Sequence, residues 1–207
     1  QNMDDGFLAQ KLFKTSRPVF SVYRETAHYI YVYHMRAFLA ISAISVIIRP
    51  MENTGGLILK SSSFRHGDPI PAKHTCDGDN VNPLLEIRNI PAGAKSLAIA
   101  MDDPDATRGQ VWDHWVVWNI DPKTQYVSED NVPFGAVLGK NSAGNMKYYG
   151  PCPPRGKAPH RYMFKVYALD TLLELAAGSS KTELEEAMKG HILEQTVLMG
   201  TYGRKNE

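Results

Sequence analysis

The segment GPCPPRGKAPHRYMFKVYALD, Gly150 to Asp170, gathers Cys152, His160 and Tyr162 in and just after a loop braced by prolines. A thiol next to an imidazole can serve a nucleophilic enzyme. The same groups on a rigid loop can also form a preformed binding notch. Upstream, DDPDAT supplies Asp103 and Asp105, and DHW supplies His114. Two carboxylates at alternate positions of an extended segment share a face. The proline between them fixes one φ angle and stiffens the pair. A carboxylate beside the His114 imidazole would favour its protonated, anion-attracting form. In PCPP the three prolines, Pro151 included, carry no N–H, which leaves those of Gly150 and Cys152 to face a ligand, and glycine permits close approach. Imidazolium, N–H and phenol donors together suit a phosphate or carboxylate group.

Each part has a plainer reading. DPDAT alone is an ordinary turn, His114 a satisfied structural histidine beside Trp112 and Trp115, and Cys152 a small buried hydrophobe. A hydrolase would use Cys152 as nucleophile, His160 or His114 as base and Asp103 as orienter. Yet Cys152 lies between prolines, away from a helix N-terminus that would lower its pKa. Cys152 and His160, or His74 and Cys76, do not match common zinc spacings, so neither metal nor cofactor is expected. The combination points to a non-catalytic pocket for a small anionic or phosphorylated ligand.

Bulk properties agree. The 207 residues carry 23 basic and 22 acidic side chains, for a formal charge of +1. That balance gives no electrostatic case for nucleic acid. Cys76 and Cys152 are too few for a disulfide framework; two free thiols suit a reducing cytosol, and one long-range disulfide is the alternative. Residues 1–50 do not match the rest. The apolar run Ala37–Ile48 is too short for a span of ~20 residues. Met35-Arg36 before it resembles the start of a signal peptide, but no small-residue cleavage site follows. The segment is therefore set aside as upstream sequence or a secretory or membrane-proximal piece, and residues 51–207 form the domain. A cytoplasmic location is expected, or a periplasmic or secreted one if residues 35–50 act as a signal. Stable membrane insertion of the core domain is not expected.

The elements that must position these groups are mostly strands. LILKS, SLAIAMDD, HWVVWNI, YMFKVYAL and TVLMGTY are strand-length and rich in β-branched or aromatic residues. HWVVWNI is nearly continuously apolar, as in a strand covered on both faces. Period two puts Tyr162, Phe164, Val166 and Ala168 on one face. SSKTELEEAMKGHILEQ is the one clear helix, with capping boxes available at Ser180/Glu183 and Thr182/Glu185. Leu184, Met188 and Ile192 would form its apolar stripe, interrupted by a bend or break at Gly190. These features predict a mainly β sandwich with a late amphipathic helix.

The segments DPDAT…DHWVVWNI and YYGPCPPRGKAPHRYMFKVYALD resemble the signature segments of the phosphatidylethanolamine-binding protein family, in its prokaryotic branch of Raf-kinase-inhibitor-like proteins. SSSFRHGDPIPAKHTCDGDNVNP resembles the opening of that domain, and GHILEQTVLMGTYGR its close. The resemblance implies a Greek-key antiparallel β-sandwich with a C-terminal helix and a small anion pocket at one end. It implies a pocket for phosphate-like groups, including phospholipid head groups. It places Asp103, Asp105 and His114 in the first signature, and Gly150, Pro151, Cys152, His160 and Tyr162 in the second. Regulation of a protein kinase or inhibition of a serine protease follows from the family as a possible partner role, the latter as the runner-up function. The chain departs from the family pattern at Thr107, Leu84 and Ile87, and from its eukaryotic branch at Cys152.

Overall fold

Among the described residues, eight strands and one α-helix build the domain. They are β1 Ile58–Ser61, β2 Leu85–Arg88, β3 Ser96–Asp103, β4 Trp112–Ile120, β5 Tyr126–Val127, β6 Val137–Leu138, β7 His160–Leu169, α1 Lys181–Ala187 and β8 Ile192–Tyr202. The computed structural model describes residues 55–107 and 109–206; the extension read over residues 1–50 lies outside them. The strands form a three-stranded sheet, β1-β2-β5, and a five-stranded sheet, β6-β4-β3-β7-β8. Neighbouring strands in both sheets run antiparallel.

The hydrophobic pattern explains the layering. One buried cluster joins Leu59, Leu85, Ile87 and Val127 of the small sheet to Leu97, Ile99, Trp115, Val117, Phe164 and Val166 of the large one. A second cluster, on the opposite face of the large sheet, gathers Ala98, Ala100, Val116 and Trp118 beneath Leu184 of α1 and Met188 at its C-cap. β4 thus contributes alternate residues to two cores, which is why its sequence is apolar throughout. The row Tyr162, Phe164, Val166, Ala168 of β7 is fully buried, as period two requires. Strands β2, β5 and β6 are four or two residues long and carry little periodic signal of their own.

The helix departs from expectation in one respect, the place of Ile192. Of the two candidate caps, Ser180/Glu183 forms: Glu183 N–H donates to Ser180 Oγ at 3.3 Å, and Ser180 N–H to the Glu183 carboxylate at 2.7 Å. The helix then stops at Ala187, and Gly190 takes a left-handed φ of +80°. Ile192 is consequently not the third residue of a helical stripe. It opens β8 and stays 42% exposed.

Candidate functional site

The antiparallel order of β4-β3-β7 brings one end of β3 beside the starting ends of β4 and β7. Asp103 is the last residue of β3, His114 the third of β4, and His160 the first of β7. A register shift between β3 and β4 after Met101 adjusts the ladder where the site is built. Asp103, His114, Cys152, His160 and Tyr162 all line one cleft of about 620 Å³. Val111 and Trp112, 50% and 38% exposed, give it an apolar rim.

At the floor, His160 Nδ1–H donates to Asp103 Oδ2 at 2.8 Å, both residues being buried. The other Asp103 oxygen accepts the Asp105 N–H at 2.8 Å. Asp103 therefore fixes Nδ1 as the ring nitrogen of His160 that carries the proton in this bond. His114 Nδ1–H is likewise committed, donating to the Tyr149 carbonyl at 2.5 Å. The His114 ring meets that of Tyr162 edge-on, with centroids 5.2 Å apart. The Tyr162 hydroxyl is buried and makes no hydrogen bond of good geometry among the described residues, with Asp103 and the Cys152 backbone as its polar neighbours. Burial, and then the nearby Asp103 charge, hold its ionisation far above the ordinary tyrosine range, so it remains an O–H donor.

Three residues expected in the site stand elsewhere. Asp105 turns outward from the cleft and grips Arg161: Nε and Nη2 donate at 2.8 and 2.7 Å, and the Arg161 N–H at 2.9 Å. The Arg161 guanidinium holds its carboxyl at about 2. Asp105 shares Asp103's sequence spacing but not its direction, because the strand ends at Asp103 and the chain turns. The Gly150 N–H does not face a ligand; it donates to Asn80 Oδ1 at 2.7 Å. The glycine is required there for packing, since a Cβ would lie 2.5 Å from the His74 carbonyl oxygen. Pro151 is buried beneath the loop, its carbonyl accepting the Cys76 N–H at 3.1 Å.

Cys152 is neither a free thiol nor a buried hydrophobe. It is exposed and bonded to Cys76, with Cα atoms 5.4 Å apart. The bond removes both the thiolate that a hydrolase would need and the free-thiol argument for a reducing cytosol. It closes a loop with a sequence separation of 76, for which chain entropy gives a stabilisation of about 4 kcal/mol. Residues 72–80 and 148–152 are further stitched together by the Tyr148 hydroxyl, which donates to the His74 carbonyl at 2.9 Å. The proline loop is thus held by its partner segment as well as by its own stiffness.

The model of the family described as "Phosphatidylethanolamine-binding protein" matches residues 60–203. The chain belongs to the phosphatidylethanolamine-binding protein family. A UPF0098 protein of Pyrococcus horikoshii, PH1269, is 43% identical over 182 residues, covering 83% of this chain and 91% of its own. One from Methanothermobacter thermautotrophicus is 46% identical over 151 residues, or 70% and 98% of the two chains. Among solved structures, the family homologue CT736 of Chlamydia trachomatis superposes with a TM-score of 0.68 at 41% identity, covering 72% of this chain and 98% of its own. The family member YbcL of Escherichia coli gives 0.68 at 31% identity, with 72% and 99% covered.

Within this family fold, several lining residues escaped sequence reasoning: Gln110, Ser142, Tyr149 and Pro154 among them. Pro154 belongs to the PCPP loop already singled out, and Tyr149 had a local signal in its place directly before that loop. Thr107, a departure from the family pattern, sits on the cleft wall. Among the described lining residues there is no lysine or arginine, and no group of three or more His, Cys, Asp or Glu side chains in the described chain could hold a metal. No described helix is long and apolar enough to cross a membrane.

His114 also corrects the expected electrostatics. Desolvation lowers its pKa from 6.5, against the opposing pull of the Tyr149 carbonyl and Asp103. The ring is therefore neutral, with Nε2 an acceptor. The unfolded chain takes up a proton near pH 6.5 that the folded ring refuses until a lower pH. Stability from this group is complete above 6.5 and falls as pH drops through the window beneath it. Urea unfolding at pH 7.5 and pH 5 should show a smaller acid loss in His114→Gln than in the parent. Equal losses would refute the assignment.

Proposed function

We propose that the cleft is a binding site, without turnover, for a phosphate-like group: a phospholipid head group, a phosphorylated small molecule or a phosphorylated partner. The observation that carries this reading is the convergence of the Asp103–His160 pair, His114 and the buried Tyr162 hydroxyl on one cleft wall. His160 and neutral His114 line the same cleft, each with Nδ1 already committed. Tyr162 can donate while His114 accepts, so the set matches a group that bears both acceptor oxygens and a proton, such as a phosphomonoester monoanion. This is a mixed donor–acceptor cradle, in place of the doubly cationic one expected from sequence. Asp105, Gly150 and Pro151 support the walls.

Two sheets facing one another across one core, with the cleft at the strand ends, support the sandwich reading of the fold. No free thiol stands in the cleft to act as a nucleophile. Titration with inorganic phosphate, phosphoethanolamine and a phosphoserine peptide, followed by amide NMR, tests the proposal. Shifts should concentrate at Asp103–Thr107, His114 and Cys152–Tyr162. Shifts confined to other surfaces, or none with any of the three, would rule it out.

A further inference from the structure

β8 ends the five-stranded sheet, so one side of its backbone has no strand beside it among the described residues. Part of that side is covered. The Gly67 N–H donates to the Met199 carbonyl at 2.8 Å, the Ile70 N–H to that of Thr201 at 2.7 Å, and the Thr201 N–H to the Asp68 carbonyl at 3.0 Å. The Met199 N–H meets His66 Nδ1 at 3.4 Å. Alternate residues of an antiparallel strand turn their N–H and C=O groups to the same side. The register with β7 runs unbroken from Met199 through Val197 to Gln195. The backbone groups of Val197 and Gln195 therefore share the outward side, and they have no hydrogen-bond partner there among the described residues. The ladder shifts just beyond, where Ala168 pairs with Glu194 and Leu169 with Ile192, leaving Leu193 as the extra residue. Gln195 and Val197 are exposed, the latter at 37%. Sheets usually protect such an edge with lysine, proline or a covering segment. β8 contains no lysine, arginine or proline, and its one charged residue, Glu194, is engaged by the Leu57 N–H.

We propose that this edge binds a second copy of the chain, the two β8 strands pairing antiparallel about a two-fold axis at Thr196. The register sets Gln195 of each copy opposite Val197 of the other, and each pair exchanges both of its N–H···O bonds. The open groups thus satisfy one another. Moving the axis by one residue would set an open residue against Leu193, at the irregularity, or against Met199, whose carbonyl already holds Gly67. The side chains agree with the same register. Thr196 faces its own copy, a favourable cross-strand pair. Glu194 falls opposite Leu198, so like charges do not meet. Leu198 and its partner Phe164 are buried in the core, which puts Val197 and Met199 on the other face of the sheet. There they extend an apolar stripe across the seam. The occupant is a second copy because the open backbone groups and the side-chain pairs match themselves. Such an isologous contact closes on itself and recruits no third chain. The ladder is short, which makes the dimer weak and dependent on concentration. The pairing does not depend on what the cleft binds.

Sedimentation of the full, oxidised chain over a concentration series tests the proposal. The sedimenting mass should rise reversibly from one copy to two. Amide hydrogen exchange in the same series gives the location. The N–H groups of Gln195 and Val197 should exchange freely in dilute protein and become protected at high concentration, while those of Thr196 and Leu198, turned toward β7, stay protected throughout. Val197→Glu should raise the dissociation constant of the dimer by about tenfold or more, because two carboxylates would meet diagonally across the seam. Within its own chain that carboxylate would lie opposite Lys165, so the fold is kept. Gln195→Pro should act similarly by removing an outward N–H, a change that an edge strand tolerates. If melting shows that proline disturbs the fold, Val197→Glu and the exchange pattern of the parent still decide. A single copy at every concentration, or a dimer as tight in Val197→Glu as in the parent, would overturn the proposal. So would Gln195 and Val197 amides already protected in dilute protein, which would assign the edge to another segment of the chain.

Discussion

Replacing His160 with alanine is expected to weaken phosphate or phosphoethanolamine binding by about tenfold to a hundredfold, the worth of one hydrogen bond to a charged group. The size follows from position. His160 begins β7, is 8% exposed, and is the residue whose ring is oriented by the buried Asp103 carboxylate. Removing the ring deletes a contact to the occupant and strands Asp103, whose Oδ2 loses its donor. His160→Gln separates these effects, since its amide can still donate to Asp103 without presenting a ring nitrogen to the cleft. Affinity should fall in both variants, and melting temperature mainly in His160→Ala. Asp103→Asn should fall between them, because an amide cannot enforce the same tautomer. Calorimetric titration beside thermal melts reads both quantities. Undiminished affinity in His160→Gln and His160→Ala would remove His160 from the site.

The second large effect is expected one residue before Asp103. Successive residues of a strand face opposite sides of its sheet, and Asp102 faces α1. Its Oδ2 accepts from Lys165 of β7 at 2.6 Å and from Lys181 of α1 at 2.7 Å. Lys181 also reaches Asp113 of β4 at 2.8 Å. Burial opposes the Lys181 charge, but the hydrogen bonds with Asp102 and Asp113 outweigh it and hold its pKa above that of an ordinary lysine. Asp102→Ala leaves this cation buried with one partner fewer. The loss should be about 3–5 kcal/mol, as for breaking a buried ion pair, or a fall in Tm of about 6–20 °C for a domain of this size. The ligand cleft, on the other side of β3, should keep its affinity in the protein that remains folded. A loss under about 1 kcal/mol by urea unfolding would mean that the network does not anchor the helix.

These adjacent aspartates mark the division between sequence and fold. The period-two row of β7, the apolar run of β4, the Ser180 cap and the break at Gly190 are local consequences of side-chain alternation and backbone preference. They were legible because neighbours in the chain decide them. The gathering of Asp103, His114 and His160 could be anticipated only as a pattern of ordered segments. Its geometric cause is the antiparallel β4-β3-β7 order, which places three distant strand ends together. Direction and partnership lay beyond the linear chain. DDPD offers Asp102, Asp103 and Asp105 as similar carboxylates. The tertiary structure gives the first to a lysine network, the second to the cleft and the third to Arg161. Whether the Gly150 N–H would face a ligand depended on Asn80, seventy residues away in the chain. The fate of Cys152 depended on Cys76, at a separation of 76. The sequence by itself determined which residues could form strands and which could do chemistry. Only the tertiary structure decided which of them meet, because burial, charge pairing and hydrogen-bond partnership are set by neighbours in space.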